Sequence, residues 1–206
     1  MLDELEPPMR RALELAWEAY RAGSFPVGSV ITDPRGDIVV EGRNRAGEGE
    51  APPGRMRNSA IAHAEVDALS QLPMGEYSQH TLYTSLEPCL LCRSAMVMTH
   101  IGTVHFLAAD SLCEGLDRLP EINGHASRRH PTMAGPGHGV VAEFAGTLPM
   151  AVLLLFNRDG TTAAHYAQHA PSRVAAARRI LDEDLWPPRR LSLEAAIDHL
   201  SPVLSG

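Results

Sequence analysis

The sequence predicts an α/β fold in which helices pack against a β-sheet. Residues 80–84 are rich in β-favouring side chains, a helical pattern begins at Pro88 and runs to about His100, and residues 103–107 again resemble a strand. Because alternation of strand, helix and strand is typical of a sheet flanked by helices, these segments indicate the fold class. A length of 206 residues is enough to bury a sizeable core, which favours one domain with additions to it.

The N-terminal part of the chain predicts a helix followed by a β-hairpin. Residues 7–22 carry apolar side chains at helical spacing and are followed by a glycine, which is typical of a helix end. Residues 27–32 and 37–42 are two short β-rich segments, and the DPRG sequence at residues 33–36 is typical of a hairpin turn between them.

A loop rich in Gly, Pro and Arg follows at residues 44–59. We expect a helix after this loop, and we expect it to carry both His63 and Glu65. Asn58 or Ser59 is predicted to cap that helix, because short polar side chains accept hydrogen bonds from the first free amides of a helix.

The second half of the chain shows weaker patterns. Residues 111–138, rich in Gly, Pro, His and Arg, are predicted to form an irregular insertion. Residues 139–156 are apolar without clear periodicity, which leaves strand and helix both open. Residues 172–185 and 192–200 each begin with a serine suited to a helix cap, and both are predicted to be helical.

Composition and charge favour a small substrate and exclude a membrane span. The net charge of −7 argues against a large basic surface for nucleic acid. The longest apolar run, residues 150–156, is too short to cross a bilayer, and the acidic N-terminus lacks the pattern of a secretory signal. Three cysteines cannot form a complete disulfide framework, so we expect Cys113 to be a reduced thiol in a cytoplasmic protein.

Two short motifs predict a zinc site. His63 and Glu65 form an H-x-E motif, and Cys89 and Cys92 form a P-C-x-x-C motif that begins 23 residues after the Glu. One imidazole and two thiolates suit Zn²⁺, and three protein ligands leave the fourth tetrahedral position open for a water molecule. Glu65, two residues after the histidine ligand, is well placed to handle the proton of that water.

The spacing of the two cysteines supports the same interpretation. A separation of three residues at a helix start brings both sulfurs to one face, and the positive end of the helix dipole favours the thiolates that a metal requires. The alternative is a structural zinc site, which would need a fourth protein ligand. Cys113 is the available candidate, but it lies outside the two motifs, and we therefore favour a catalytic site.

Five segments carry a resemblance to a known family. They are FPVGSVI (25–31), EGRN (41–44), AHAE (62–65), LYTSLEPCLLC (82–92) and AMVMTHIGTVHF (95–106). On these motifs, residues from about 5 to 110 resemble the cytidine/deoxycytidylate deaminase superfamily. The greater similarity is to its branch of guanine deaminases and tRNA adenosine deaminases.

The resemblance implies a three-layer α/β/α fold with a five-stranded mixed sheet, and commonly a homodimer. It divides the chain into a zinc deaminase core at residues 1–110 and an insertion with a C-terminal extension at residues 111–206. We expect the extension, which is irregular at first and then helical, to pack on the same domain. In related enzymes such a region helps to shape the pocket, so the substrate is not carried over from the family.

The resemblance also implies roles for individual residues. Zn²⁺ would be held by His63, Cys89 and Cys92, and Glu65 would be the catalytic proton carrier. In that branch, an asparagine matching Asn44 binds the substrate base. The predicted substrate-binding residues are Asn44, Val27, Phe25, Ala64 and Ser85. For Phe25, stacking on a base and packing in a core or interface are equally open.

Arg93 departs from the family pattern, because small residues are common directly after the second cysteine. We interpret Arg93 as a surface or interface arginine, with contact to a substrate carboxylate or phosphate as the alternative. The functions of Arg93 and of Cys113 both stay open at this point.

The sequence therefore predicts a zinc-dependent hydrolytic deaminase that uses zinc-bound hydroxide to remove an exocyclic amine. Its substrate is predicted to be a small nitrogen heterocycle: a nucleobase, a nucleoside or an analogue. One alternative is a tRNA adenosine deaminase, which would convert adenosine to inosine and bind tRNA in a salt-sensitive manner. A third hypothesis is a catalytically silent zinc protein that serves as an assembly subunit.

Overall fold

The computed structural model describes residues 2–204. Within that range the strands form one five-stranded mixed sheet in the order β2-β1-β3-β4-β5. The strands are β1 (Gly28–Thr32), β2 (Ile38–Arg43), β3 (Thr81–Leu86), β4 (Thr103–Ala108) and β5 (Thr132–Ala134). β1 pairs antiparallel with β2 and β3, whereas β3, β4 and β5 run parallel to one another. The predicted five-stranded mixed sheet is thus confirmed.

The helices occupy the connections between strands and most of the C-terminal region. They are α1 (Pro7–Arg21), α2 (Ala64–Leu69), α3 (Leu90–Thr99), α4 (Leu119–Ile122), α5 (Gly124–Arg129), α6 (Val140–Phe156), α7 (Thr161–His169), α8 (Pro171–Asp182) and α9 (Leu193–Leu204). In residues 2–204, none of these helices combines the length and the apolar character that a membrane crossing requires.

Helices cover both faces of the sheet, which confirms the three-layer α/β/α architecture. On one face, α2 and α3 enclose a cluster that contains Ile31 from β1, Leu82 from β3 and Val104 from β4. On the other face, α1 and α6 pack against the sheet, and α8 and α9 pack against α6. Alternate residues of β3 face opposite sides, since Leu82 belongs to the first cluster and Tyr83 packs against the second.

Helix α1 joins the sheet to the C-terminal helices. Its buried stripe includes Leu13, Trp17 and Tyr20, which share one apolar cluster with α6, α8 and α9. The indole Nε1 of Trp17 donates a hydrogen bond to the carbonyl of Leu191 (3.0 Å), and the hydroxyl of Tyr20 donates to the carbonyl of Pro187 (3.1 Å). Amphipathic helices are stabilised mainly by such packing, and here the packing ties the two halves of the chain together.

The segment after β4 differs most from the sequence prediction. Residues 111–138, predicted to be irregular, contain α4, α5 and the short strand β5, which completes the sheet next to β4. For residues 139–156, the sequence leaves strand and helix both open, and the structure shows the helix α6 (Val140–Phe156). This helix is buried on most sides, and a helix that is apolar all round lacks the periodicity that identifies an amphipathic one.

The predicted cap of the helix that follows the long loop is wrong. Helix α2 begins only at Ala64, and His63 occupies the N-cap position with no side-chain cap. Asn58 instead adopts a left-handed backbone conformation (φ +46°), and the hydroxyl of Ser59 accepts a hydrogen bond from the amide of Ile61. The loop therefore continues up to the first residue of the H-x-E motif.

Candidate active site

The two predicted metal-binding motifs meet at the starts of two helices. His63 stands at the N-cap of α2, and Cys89 stands at the N-cap of α3 with Cys92 in the first turn of that helix. The Nδ1 atom of His63 lies 3.5 Å from the Sγ of Cys89 and 3.4 Å from the Sγ of Cys92, and the two sulfurs are 3.7 Å apart. The predicted ligands therefore converge on one point.

These distances fit a tetrahedral zinc ion. Zinc bonds of about 2.3 Å to sulfur and about 2.0 Å to nitrogen place tetrahedral ligand atoms about 3.5–3.8 Å from one another. One of the two sulfurs is favoured as a thiolate. Hydrogen bonding with Cys92 and then with the ring of His63 lowers the pKa of Cys89 to about 4, whereas hydrogen bonding with Cys89 and burial raise the pKa of Cys92. This donor set is that of the zinc-binding region that the sequence predicts.

Cys113 does not provide a fourth ligand. Its sulfur lies 3.4 Å from the carbonyl of Pro88, and the group that contains His63 consists, within residues 2–204, of His63, Cys89 and Cys92. Three protein ligands leave a tetrahedral site open, which is the arrangement of catalytic rather than structural zinc sites.

Glu65 lies beside the metal-binding group and is almost entirely buried. The hydroxyl of Thr84 donates a hydrogen bond of 2.8 Å to its Oε1, and its Oε2 lies 3.3 Å from the Sγ of Cys92. Burial raises the pKa of Glu65 above the usual range of a carboxyl group. Thr84 thus holds one oxygen in place, and the other faces the metal-binding group.

A cavity of about 330 Å³ opens above this group. Several sequence-predicted residues line it together with Glu65 and the three ligands; these are Phe25, Val27, Asn44 and Ala64. The Oδ1 of Asn44 accepts a hydrogen bond from the amide of Ala46 (2.9 Å), which shapes the turn after β2 and fixes the side chain at the cavity wall. The structure therefore brings these four residues to the predicted site.

Ser85 is not brought to the cavity. Its side chain is fully buried, and its Oγ accepts a hydrogen bond from the amide of Gly28 (3.2 Å), so that it joins β3 to β1. It is absent from the residues that line the cavity within the described part of the chain. Ser85 is predicted to contact the substrate, but in the structure its hydroxyl oxygen forms a hydrogen bond inside the sheet.

Part of the cavity wall is formed by the C-terminal helices. Helix α6 contributes Gly146, Pro149, Met150 and Leu153, and α7 contributes Tyr166. The sequence carries no local signal for these contacts, because they depend on how α6 and α7 fold back over the sheet. The extension after β4 consequently shapes the pocket.

Asp110, directly after β4, gives this wall a polar group. Its Oδ1 accepts hydrogen bonds from the amide of Leu112 (3.0 Å) and from the hydroxyl of Tyr166 (2.9 Å). Burial raises the pKa of Asp110, and these two donors oppose that shift. Its position at the carboxyl end of a parallel strand is the one signal that could have identified it from sequence, since such ends carry binding residues.

Replacing Tyr166 with phenylalanine is expected to lower the free energy of unfolding by about 1.5–3 kcal/mol, because it removes a hydrogen bond to a half-buried carboxylate. Urea unfolding of the zinc-loaded protein measures the loss. Tyr77→Phe is the matched control, since its hydroxyl donates to the exposed carbonyl of Pro73. Equal losses in the two variants would contradict a special role of the Tyr166–Asp110 contact.

Arg93 is not a surface arginine, and that interpretation is corrected. Its side chain is 1% exposed, and it bonds to Glu87 (2.7 Å), to Asp117 (2.6 Å) and to the carbonyl of Pro88 (3.2 Å). The alternative role, contact with a substrate anion, has no support either, because Arg93 is absent from the residues that line the cavity in the described chain. Its charge is used to join α3 to the segment after β4.

Cys113 is expected to be inert in the native protein. Its side chain is buried, and burial raises its pKa well above the usual range of a thiol, so the reactive thiolate is scarce at any pH near neutrality. We expect the zinc-loaded protein to show no reaction with a disulfide reagent at pH 8, and three thiols to react after unfolding with a chelator. One thiol that reacts rapidly before unfolding would contradict this prediction.

Comparison with known proteins agrees with this geometry. Residues 3–108 match the family model of the cytidine and deoxycytidylate deaminase zinc-binding region. The chain is 35% identical over 109 residues to the tRNA-specific adenosine deaminase of Haemophilus influenzae, covering 51% of this chain and 58% of that protein. It is 31% identical over 137 residues to the tRNA(Ile)-lysidine synthase of Deinococcus radiodurans, covering 65% of this chain and 22% of that protein.

The fold also has a counterpart among solved structures. The guanine deaminase from Nitrosomonas europaea superposes with a TM-score of 0.51 at 25% sequence identity, covering 71% of this chain and 84% of that one. The chain spans only 58% and 22% of the two curated relatives described above. The family match nevertheless extends over half of the chain and contains the metal-binding motifs, which the structure brings together. The chain therefore belongs to the family of the cytidine and deoxycytidylate deaminase zinc-binding region.

Proposed function

We propose that this protein is a zinc-dependent hydrolytic deaminase of a small nitrogen heterocycle, either a nucleobase, a nucleoside or an analogue. The proposal rests on the cavity of about 330 Å³, which is lined both by the metal-binding group with Glu65 and by residues of the C-terminal helices α6 and α7. A ring held between these walls would present its exocyclic amine to the metal.

The size and the charge of the cavity favour a small substrate. Pockets for small molecules usually range over about 300–1,000 Å³, and this cavity lies at the small end of that range. The cavity lining includes Glu87 and Asp110 together with Arg173, and the chain has a net charge of −7. The net negative charge would repel the phosphates of a polynucleotide.

In the proposed reaction, water replaces the amine on a ring carbon, and ammonia leaves. When bound by His63, Cys89 and Cys92, zinc would supply a Lewis acid that makes water nucleophilic at neutral pH. Glu65 accepts a proton from the attacking water and delivers it to the ring nitrogen next to the amine-bearing carbon. Glu65 then helps to protonate the departing amine, and the hydrogen bond from Thr84 keeps its carboxyl group oriented during both transfers.

The remaining cavity residues would hold the ring. Asn44 can hydrogen-bond to the edge of the base through its amide, and Val27 can pack on the face of the ring. Phe25 also lines the cavity, where it can stack on the base. Ala64 would bound the cavity next to Glu65. These assignments are proposals that substitution of each residue can test.

A second candidate function is tRNA adenosine deamination. The observation that favours it is the 35% identity to the tRNA-specific adenosine deaminase of Haemophilus influenzae. This function requires the chain to bind tRNA at low salt, with an affinity that falls steeply as salt rises. A catalytically silent assembly subunit is the third candidate, and the intact Glu65 beside a complete ligand set weighs against it.

The test is ammonia release by the zinc-loaded protein from a panel of nucleobases, nucleosides, their analogues and tRNA, with Glu65→Ala as the blank. Release from one small heterocycle, abolished in the blank, is the expected result. Release from tRNA alone would replace the proposal with the second candidate. No release across the panel, with one zinc per chain confirmed at the site of His63, would favour the assembly role.

We also propose a homodimer in the cytoplasm. Helix α3 leaves apolar side chains uncovered in this chain, with Leu90 54% and Met98 69% exposed. A second copy of the chain would cover such a surface. Thiolate ligands persist in a reducing compartment, which favours the cytoplasm. Sedimentation equilibrium of the wild-type protein and of Met98→Glu tests the dimer, and an unchanged mass in the variant would exclude this helix from the contact.

A further inference from the structure

A second group of metal-binding side chains lies outside the active site. Glu114, His165 and His169 each direct one ligand atom to a common place, and these atoms lie within 4.8 Å of one another. Both histidines belong to α7, and Glu114 follows the short turn after β4. The sequence carries no local signal for this group, because its members lie 51 and 4 residues apart and meet only through the fold.

The two histidines share one face of the helix. A spacing of four residues places their side chains one above the other, and their rings stack with centroids 4.3 Å apart and planes at 15°. The Nδ1 of His169 lies 3.2 Å from the Oε2 of Glu114. One nitrogen of each ring and one oxygen of Glu114 thus lie within 4.8 Å of one another between α7 and the segment after β4. Because the in-plane lone pairs of stacked rings run side by side, the two rings would have to turn to share one ion.

The orientation of His165 is the second observation. Its Nε2 lies 3.0 Å from the carbonyl oxygen of Ser111, and a carbonyl can only accept, so this nitrogen carries the proton. In the neutral ring, the lone pair is consequently on Nδ1. Histidines that ligate metals usually donate their other ring N–H to a carbonyl or carboxylate in this manner, which fixes the tautomer and the ring orientation.

The surrounding charge favours a cation. A groove of about 740 Å³ borders Glu114 and His169. Five carboxylates line it (Glu87, Asp110, Glu114, Asp117 and Glu143), against two arginines that pair with some of them, Arg93 and Arg173. A divalent ion held by two neutral imidazoles and one carboxylate would reduce this excess of negative charge.

We propose that Glu114, His165 and His169 form a second metal site for a divalent transition ion such as Zn²⁺, Ni²⁺ or Co²⁺. Imidazole and carboxylate ligands suit these ions, and an exposed site with three protein ligands can complete its coordination with water. This proposal does not depend on the proposed function. The proposed site contains no cysteine, and it shares no ligand with the group formed by His63, Cys89 and Cys92.

The position of the site gives it a structural consequence. A bound ion would link α7 to the segment after β4. The next residue of α7 after His165 is Tyr166, whose hydroxyl donates a hydrogen bond to Asp110 at the cavity wall. The ion would thereby hold the part of the extension that closes the active-site cavity. In the described structure, Glu114 and His169 are joined by the 3.2 Å contact between the Oε2 of Glu114 and the Nδ1 of His169.

Zinc stoichiometry tests the proposal without any measurement of activity. The full-length protein is dialysed against buffered free Zn²⁺ and its metal content is measured by mass spectrometry. We expect two zinc ions per wild-type chain, and one in His165→Ala and in His169→Ala. His199→Ala is the matched control, because His199 is also an exposed helical histidine next to a carbonyl, that of Leu185, and it should keep two.

A second measurement identifies the ligand atoms. In ¹⁵N spectra of the labelled protein, the Nδ1 signal of His165 should move on addition of the second equivalent of Zn²⁺, while its Nε2 keeps a proton. Glu114→Gln, which changes little in shape, should weaken this second binding by at least about tenfold, since even outer partners of metal ligands contribute that much.

Two results would overturn the proposal. One zinc per wild-type chain at free zinc concentrations that saturate the first site, with unshifted His165 signals, would show that the group holds no metal ion. Two ions per chain in both histidine variants would place the second ion elsewhere. Circular dichroism of each variant establishes that the fold is retained, so that a lost ion reports on the ligands.

Discussion

Replacing Glu65 with glutamine is expected to lower kcat by about 10²–10⁴-fold on the heterocycle that releases ammonia, with zinc still bound. General acid–base catalysis contributes a rate factor of this size, and glutamine keeps the shape of the side chain but cannot carry the proton. The amide oxygen of the introduced glutamine can still accept the hydrogen bond from Thr84, so the fold and the cavity should be unchanged. Steady-state kinetics and metal analysis of the same preparation give both quantities.

The control for this prediction is Glu121→Gln. Glu121 is an exposed carboxylate paired with Arg118 on the surface, and it lies outside the cavity walls in the described chain. Its kcat should match that of the wild type. If the Glu65 variant retained full turnover with one zinc per chain, Glu65 would not be the proton carrier and the proposed mechanism would be wrong. Loss of zinc in the variant would instead assign Glu65 to metal retention.

The metal-binding group could be predicted from sequence because its geometry is almost local. The motif at His63 and the pair at Cys89 and Cys92 each occupy one helix start, so that only two elements have to meet. Hydrophobic patterns likewise sufficed for α1 and for the first four strands. In these segments, side-chain periodicity and secondary structure agree.

The wall of the cavity that comes from α6 and α7 could not be predicted in this manner. Helix α6 is covered by the sheet, α8 and α9, and it is apolar on most sides. No periodicity therefore distinguishes the residues that face the cavity, such as Pro149 and Met150. Strand β5 has only three residues, fewer than a periodic pattern needs. In both cases tertiary packing, rather than local propensity, determines the structure.

Arg93 illustrates the same limit for a charged residue. An arginine inside a helix usually lies at the surface, and the positions of its partners decide whether burial is tolerated. Here Glu87 precedes Arg93 by six residues at the end of β3, and the second carboxylate, Asp117, comes from the segment after β4. Only the folded chain brings these groups together around the guanidinium.

Replacing Arg93 with methionine is therefore expected to lower the free energy of unfolding by about 3–5 kcal/mol, because removal of one member of a buried ion pair leaves the other uncompensated. Asp117 is 80% exposed and can turn to water, so the cost falls on Glu87, which is 15% exposed. Urea unfolding of the zinc-loaded protein measures the loss. Arg118→Met is the matched control, because Arg118 forms its ion pair at the surface and should change stability by less than about 0.5 kcal/mol.

A double variant separates the lost charge pair from the lost packing. If the uncompensated carboxylate of Glu87 causes the destabilisation, then Glu87→Gln combined with Arg93→Met should be more stable than Arg93→Met alone, since the neutral amide has a smaller cost of burial. Additive losses in the double variant would show that the ion pair is not the cause. The guanidinium would then act through its hydrogen bond to the carbonyl of Pro88, next to the first cysteine ligand.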